Sequence, residues 1–297
     1  PSYTFVSTAN AFCLHGAIPV FIDIREDTLN MDEKLVEGAI NQKTKAIVAV
    51  HYAGIGCEPV FLRELSNKYN ILFIEDAAQG IGASFNNKPL GSFGDLATFS
   101  FHETKNVISG EGGCLLINNL SFESKAEIIR EKGTDRRSFQ KGEVKKYTWR
   151  EIGSSFLPGE LIAAFLLAQL ENSSKIKETK LKIWNDYYDG FQELEKKGLI
   201  RRQTLPINCS HNGHLFYIIL ENQKARQGLI EYLKKHHITS VFHYIPLHSS
   251  PAGRKYAKTS GNLKVTENIS NRVLRLPSWV GLNETQKVIE CASDFLS

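Results

Sequence analysis

No run of eighteen apolar residues occurs anywhere in the 297-residue chain, so nothing in it reads as a membrane span. Cysteine is scarce and scattered. Cys13, Cys57, Cys114, Cys209 and Cys291 make an odd count, with wide spacings and no C-x-x-C. That pattern supports neither a zinc ribbon nor a disulfide framework, and it suits a reducing, cytoplasmic compartment. A secretory leader is not visible. Charge of one sign is not concentrated either. Lys and Arg total 36 against 32 Asp and Glu, a net +4, and short pairs such as Lys145-Lys146 do not make a basic stripe for nucleic acid. Nucleotide signatures are missing too: G-x-x-x-x-G-K-[ST] is absent, and Gly80-Ile81-Gly82 lacks its third glycine because position 85 is Phe85. His236-His237 and His243…His248 have no carboxylate or cysteine at ligand spacing, so no metal site is expected. The only methionine is Met31, and the chain opens at Pro1 with residues that read like the middle of a domain. A stretch ahead of Pro1 is therefore expected.

What is present has an ordinary globular balance, 42% hydrophobic and 23% charged. At ~150 residues per domain the length predicts about two domains. The first half alternates apolar runs with amphipathic ones. Pro19–Ile24, Ala46–His51, Ile71–Asp76, Ala97–Phe101 and Cys114–Ile117 read as strands. Met31–Ile40 reads as a helix capped by Asn30 with Glu33 behind it, and Pro59–Tyr69 as a helix with Phe61, Leu62 and Leu65 on one face. Alternating strands and helices predict an α/β domain with a mostly parallel sheet. From Phe122 to Tyr188 the pattern is mostly helical, broken by the charged stretch Asp135–Lys146. Gly159–Leu170 is apolar almost all round, the mark of a helix buried between layers or against a second subunit. Beyond it Leu215–Leu220 and Val241–Tyr244 read as strands. Gln227–His236 reads as a helix, and so does Thr285–Phe295 with Asn283 as its cap. This predicts a smaller α+β domain after a soft boundary near residue 180, crossed by one long helix.

Chemistry concentrates between Ile71 and Ile117. One apolar strand ends in Glu75-Asp76, followed by Ala77-Ala78-Gln79. The next ends in Ser100, followed by His102 and then Lys105, with the turn Gly110-Glu111-Gly112-Gly113 beyond. Ligands of open α/β sheets sit outside the carboxyl ends of the strands. A carboxylate, a lysine and a small hydroxyl in one such crevice suit pyridoxal phosphate: the lysine takes the aldehyde as a Schiff base, and the carboxylate keeps the pyridine nitrogen protonated. Strand-terminal aspartates are common and most lysines are surface charges, so spacing alone leaves that reading open.

The segments EDAAQG, FSFHETKN, SGEGG and FHYIPLH resemble the DegT/DnrJ family of sugar-nucleotide aminotransferases, and the likeness runs over essentially the whole chain. It implies fold type I: an α/β large domain over 1–180, N-terminally incomplete, and a smaller α+β domain over 181–297. It implies pyridoxal 5′-phosphate as cofactor, with a nucleotide sugar (a dTDP-4-keto-6-deoxyhexose) and glutamate as substrates. By motif, Lys105 matches the Schiff-base lysine, Asp76 the partner of the pyridine nitrogen, and Gln79 a residue beside the ring. Ser100 matches a hydroxyl donor to the phosphate, and Phe5 the aromatic stacked on the ring. Ser155 stands where many relatives bring an asparagine to the phosphate from the neighbouring subunit. His243, Tyr244 and His248 match the substrate-side segment. The resemblance also implies a homodimer with shared active sites. Relatives carry a further N-terminal strand and a Gly-Thr turn at a helix N-terminus, which binds phosphate through backbone donors. Two rival functions are a sugar dehydratase of the same family, which has histidine in place of the lysine, and a non-catalytic protein that keeps the fold.

Overall fold

The computed structural model describes residues 1–297. Four strands form the central sheet: β1 (Ala46–Val50), β2 (Leu72–Asp76), β3 (Leu96–Ser100) and β4 (Gly113–Ile117), side by side in that order. The first three are parallel, with Val50 opposite Asp76 and Asp76 opposite Thr98. β4 returns antiparallel, with Gly113 opposite Ser100. Asp76 and Ser100 therefore end adjacent parallel strands on one edge of the sheet, where ligands of such sheets bind.

Helix α1 (Val6–Cys13) precedes this sheet, and α2 (Pro59–Tyr69) joins β1 to β2. Pro59 opens α2 at a position where its missing N–H costs nothing, and Asn70 ends it in the left-handed region. Leu62 and Leu65 are buried against Ile47, Phe73 and Phe93, whereas Phe61 faces outward.

A second sheet follows, entirely antiparallel: β5 (Ile200–Arg202), β6 (Phe216–Leu220), β7 (Val241–Phe242) and β8 (Val273–Leu276), in the spatial order β7-β8-β6-β5. Every residue of β6 is buried because both faces are covered. Phe216, Ile218 and Leu220 pack on Trp184, Tyr187, Leu229 and Val288 from the helices. Tyr217 and Ile219 alternate to the other face and meet Tyr3, Ile24 and Tyr52 from the N-terminal half. That second face is what holds the C-terminal sheet over the site.

Among the further helices are α3 (Glu160–Glu171), α4 (Ser173–Gly190, running across residue 180) and α5 (Thr285–Leu296). No helix is long and apolar enough to cross a membrane.

Several expected elements take another form. Met31–Ile40 is a short 3₁₀ turn, Glu33–Leu35, followed by the single turn Val36–Ala39, and its cap is Asp32. Asn30 is buried and otherwise engaged: its Oδ1 accepts from Tyr52 N and its Nδ2 donates to the Ile55 carbonyl. Within Pro19–Ile24 only Val20–Phe21 forms a strand, against Lys258–Thr259, and Ile24 adds an isolated bridge to Met31. The helix expected to begin at Gln227 begins at Gln223, because Asn222 accepts from Ala225 N and caps it there. Asn283 caps nothing; Glu284 occupies the cap position of α5 without a side-chain bond. The apolar helix α3 forms, yet no residue of it is buried within the chain, and Leu161 is 88% exposed.

Candidate active site

β2 delivers two carboxylates to opposite faces of the sheet, as its period-two alternation requires. Glu75 is fully buried. Its Oε1 accepts from His51 Nε2 at 2.9 Å and from Gly91 N at 2.8 Å, and its Oε2 accepts from Phe93 N at 2.7 Å and Gly94 N at 2.6 Å. Burial alone would raise this carboxyl. The hydrogen bond and charge of His51, with the N–H groups of Gly94 and Gly91, outweigh burial and hold it below the usual range. Glu75 is thus a structural lock on the 91–94 turn. Its stabilising effect is complete above the carboxyl's unfolded pKa and is lost as pH falls through the lower folded value. Glu75→Gln turns an amide nitrogen toward backbone donors and should lower stability by about 3–5 kcal/mol. Urea unfolding at neutral pH measures this; an unchanged midpoint refutes it.

Asp76 faces the other way. Its Oδ2 accepts from Thr8 Oγ1 of α1 at 2.6 Å, and its Oδ1 accepts from Ala78 N at 3.1 Å. Thr8 lies one turn after Phe5, which stands at the N-cap of α1 and is 58% exposed as a residue. Gln79 is buried: its Oε1 accepts from Ala53 N at 2.7 Å, and its Nε2 donates to Tyr244 Oη at 3.2 Å. Ser100 Oγ, at the end of β3, accepts from His102 N at 3.4 Å.

Lys105 is half-buried. Burial lowers its amine, the Asp76 charge raises it and the Arg275 charge lowers it; the net shift is downward. That favours the neutral amine, the form that attacks a carbonyl carbon. The turn carrying Lys105 is pinned through its neighbour Asn106. Asn106 Nδ2 donates to the Asn212 carbonyl, and its Oδ1 accepts from His214 Nδ1. Asn212 Nδ2 in turn donates to the carbonyls of Gln79 and Ile81. Gly54, at φ +76°, leaves room for this: a Cβ there would lie 2.3 Å from Asn212 Oδ1.

His243 and Tyr244 close the site from the C-terminal side. Arg275 Nη1 can only donate, so His243 Nε2 accepts from it at 2.9 Å. The neutral ring therefore carries its proton on Nδ1, which donates to Tyr52 Oη at 3.0 Å. Burial, then Arg275 and Lys105, push this imidazole down to about 2. Tyr244 stacks on His243, with ring centroids 3.5 Å apart, and its hydroxyl titrates well above the usual range through burial.

Asp76, Gln79, Lys105, His243 and Tyr244 thus belong to one connected cluster, with Ser100 and Phe5 on adjoining segments. Two expected site residues lie outside it. His248 bonds to Ser2 Oγ at 2.7 Å and to Glu267 Oε1 at 3.2 Å. Ser155 is exposed and bridges to Glu131. Thr8, Tyr52, Asn106, His214 and Arg275 were not expected from the sequence. Arg275 did leave a signal there, as a lone charge inside the apolar run Val273–Leu276.

The donor set fits pyridoxal phosphate. An amine biased toward its neutral form, a carboxylate held in place by Thr8 and a strand-end hydroxyl match the aldehyde, the pyridine nitrogen and the phosphate in chemical type.

The comparisons with known proteins agree. Residues 1–293 match the DegT/DnrJ/EryC1/StrS aminotransferase family. GDP-perosamine synthase of Vibrio cholerae is 31% identical over 302 residues, covering 100% of this chain and 79% of that protein. The UDP-4-amino-4,6-dideoxy-N-acetyl-beta-L-altrosamine transaminase of Helicobacter pylori is 30% identical over 283 residues, covering 94% and 72%. The crystal structure of a DegT DnrJ EryC1 StrS aminotransferase from Brucella abortus superposes with a TM-score of 0.89 at 29% identity, covering 100% of this chain and 78% of that one. The chain belongs to the DegT/DnrJ/EryC1/StrS family of pyridoxal-phosphate-dependent sugar aminotransferases, with the fold type I architecture.

Proposed function

We propose that this chain transfers an amino group from glutamate to C4 of a dTDP-4-keto-6-deoxyhexose. PSYTFVSTANAF, VHYAGIGCE, EIIREKGT and VFHYIPLHSSPAG resemble the enterobacterial dTDP-4-amino-4,6-dideoxygalactose transaminase. The observation that carries the chemistry is Lys105, a half-buried amine with a lowered pKa, within reach of the Asp76 charge. Pyridoxal phosphate, when bound, supplies an electron sink for the carbanion at the reacting carbon. Lys105 holds the aldehyde carbon and moves the proton at the donor's α-carbon. Asp76 pairs with the ring nitrogen, Gln79 flanks the ring, Phe5 covers its face and Ser100 donates to the phosphate. His243 and Tyr244 take the sugar side. Residues 1–180 form the larger domain and 181–297 the smaller. A lysine at position 105, where the family's dehydratases have histidine, speaks against dehydration. Incubating the holoprotein with glutamate and the dTDP-4-keto sugar tests the reading: 2-oxoglutarate and a 4-amino sugar are expected. Sugar dehydration without 2-oxoglutarate would overturn it in favour of the dehydratase, and a protein with no borohydride-sensitive visible band would point to the non-catalytic role.

The assembly proposed is a symmetric homodimer with shared sites. Leu161, Phe165 and Leu167 on α3, with the nearby Phe156, are exposed apolar side chains of the kind a subunit interface covers. Ser155, next to Phe156, is the residue proposed to reach the partner's phosphate. The double substitution Leu161→Glu/Phe165→Glu should convert the dimer to a monomer in sedimentation and lower turnover with it. A fully active monomer refutes the shared sites.

A further inference from the structure

Arg275 lies inside β8, opposite Tyr217 on β6 and Val241 on β7. A guanidinium has five N–H donors and stays charged throughout the working pH range. Here only one hydrogen bond is made within the chain, to His243. Nε is shut off from solvent and has no partner. Arg275 is in no ion pair, although its charge is felt at Lys105, Lys180, His214 and Tyr52. Arg275 is itself only partly buried, but Lys180 beside it is a buried cation, with Nζ donating to Ser278 O and Oγ at 2.7 Å each. Asp76 is the one carboxylate whose charge reaches Lys105. This side of the cluster therefore carries positive charge in excess, and the shut-off Nε of the partly exposed guanidinium lacks a partner that a bound anion would supply.

The cofactor's phosphate is assigned to Ser100 on the other sheet, which leaves a substrate oxyanion for Arg275. Two are on offer: the carboxylate of the amino acid and the diphosphate of the nucleotide sugar. The amino acid's α-carboxylate is one bond from the carbon whose proton Lys105 moves, whereas the whole sugar ring separates C4 from the diphosphate. A planar fork also matches a carboxylate in particular. We infer that Arg275 binds a carboxylate of the donor amino acid, and that His243 is the positioning residue that fixes the guanidinium through its Nε2 lone pair. The inference rests on the aminotransferase reading.

The test uses the full chain loaded with pyridoxal phosphate and reduced with borohydride, so that binding is read without turnover. Calorimetry compares 2-oxoglutarate with dTDP as probes on wild type, Arg275→Ala and Arg275→Lys. Losing a charge-assisted hydrogen-bonded pair should weaken 2-oxoglutarate binding ~10–10²-fold. Arg275→Lys keeps the charge and the fold and should recover part of that loss, and dTDP binding should not change. In steady state His243→Phe should raise KM for glutamate by a larger factor than KM for the nucleotide sugar, because it loosens the guanidinium as well as removing a sugar-side ring. Equal 2-oxoglutarate affinities in wild type and both variants overturn the assignment. So does a loss confined to dTDP, which would give Arg275 to the nucleotide. If wild type binds dTDP but not 2-oxoglutarate, glutamate as donor is wrong and the role of Arg275 falls with it. If wild type binds neither, the sugar aminotransferase reading itself fails.

Discussion

Lys105→Ala should remove the visible band that borohydride bleaches and lower transamination by at least about 10⁴-fold, since one side chain supplies both the covalent anchor and the mobile proton. The protein itself should survive. The Lys105 amine makes no hydrogen bond in the chain; its backbone N–H, which the substitution keeps, donates to the His102 carbonyl, and the turn that carries it is fastened through Asn106 to Asn212 and His214. Removing the amine also relieves its unfavourable charge on the buried His214 and His243. The cofactor should still bind through Ser100 and Asp76, in a form that dialysis removes more readily. Lys105→Arg is the control: it keeps a positive charge at the site but has no amine to condense with an aldehyde, so it should be equally inactive. The measurement is an absorbance spectrum before and after borohydride, with peptide mapping of the reduced lysine. A reduced adduct at another lysine in Lys105→Ala would give the anchoring role to that residue.

Much of this site is legible in the sequence because its parts are local. Strand ends are marked by apolar runs, and the residues just beyond them are neighbours of a ligand by the geometry of any open α/β sheet. Pro59–Tyr69 is legible to the residue because it has its own start and stop signals. Elsewhere a tertiary demand overrides the local one. Asn30 looks like a helix cap, but the segment around Tyr52 and Ile55 takes both ends of its amide. Asp32 is left to cap the turn. The apolar helix α3 is legible as a helix, and its exposure within a single chain becomes visible only once its surroundings are known.

Arg275 and Thr8 are the instructive omissions. Neither lies near Asp76 or Lys105 in sequence. Thr8 reaches Asp76 because α1 packs over the end of β2, and Arg275 reaches His243 across the second sheet. Contacts of such long sequence separation have no periodicity to betray them. Arg275 could have been flagged only by the chemical oddity of a charge inside a buried strand.

Asp76→Asn should slow the chemical step roughly 10²–10⁴-fold, about 3–5 kcal/mol of activation free energy. The reason is specific to charge, because the amide fills the same space. Its oxygen can still accept from Ala78 N, and Thr8 Oγ1, a donor to the carboxylate, can rotate to accept from the new amide nitrogen. Stability should therefore fall by only about 1 kcal/mol, the cost of one weakened hydrogen bond. What is lost is the anion that keeps the pyridine nitrogen protonated, and with it the ring's capacity to hold electrons from the α-carbon. A second consequence has its own readout. Asp76 is the only influence among those acting on Lys105 that raises its amine; burial and Arg275 both lower it. In the cofactor-free variant that amine should titrate lower still, so trapping of Lys105 by a small aldehyde should reach its plateau at lower pH than in wild type. Stopped-flow rates with glutamate, thermal unfolding and the pH profile of trapping separate the three effects. Near-normal turnover would remove Asp76 from the ring nitrogen, and a large loss of stability with unchanged chemistry would make it a structural partner of Thr8 alone.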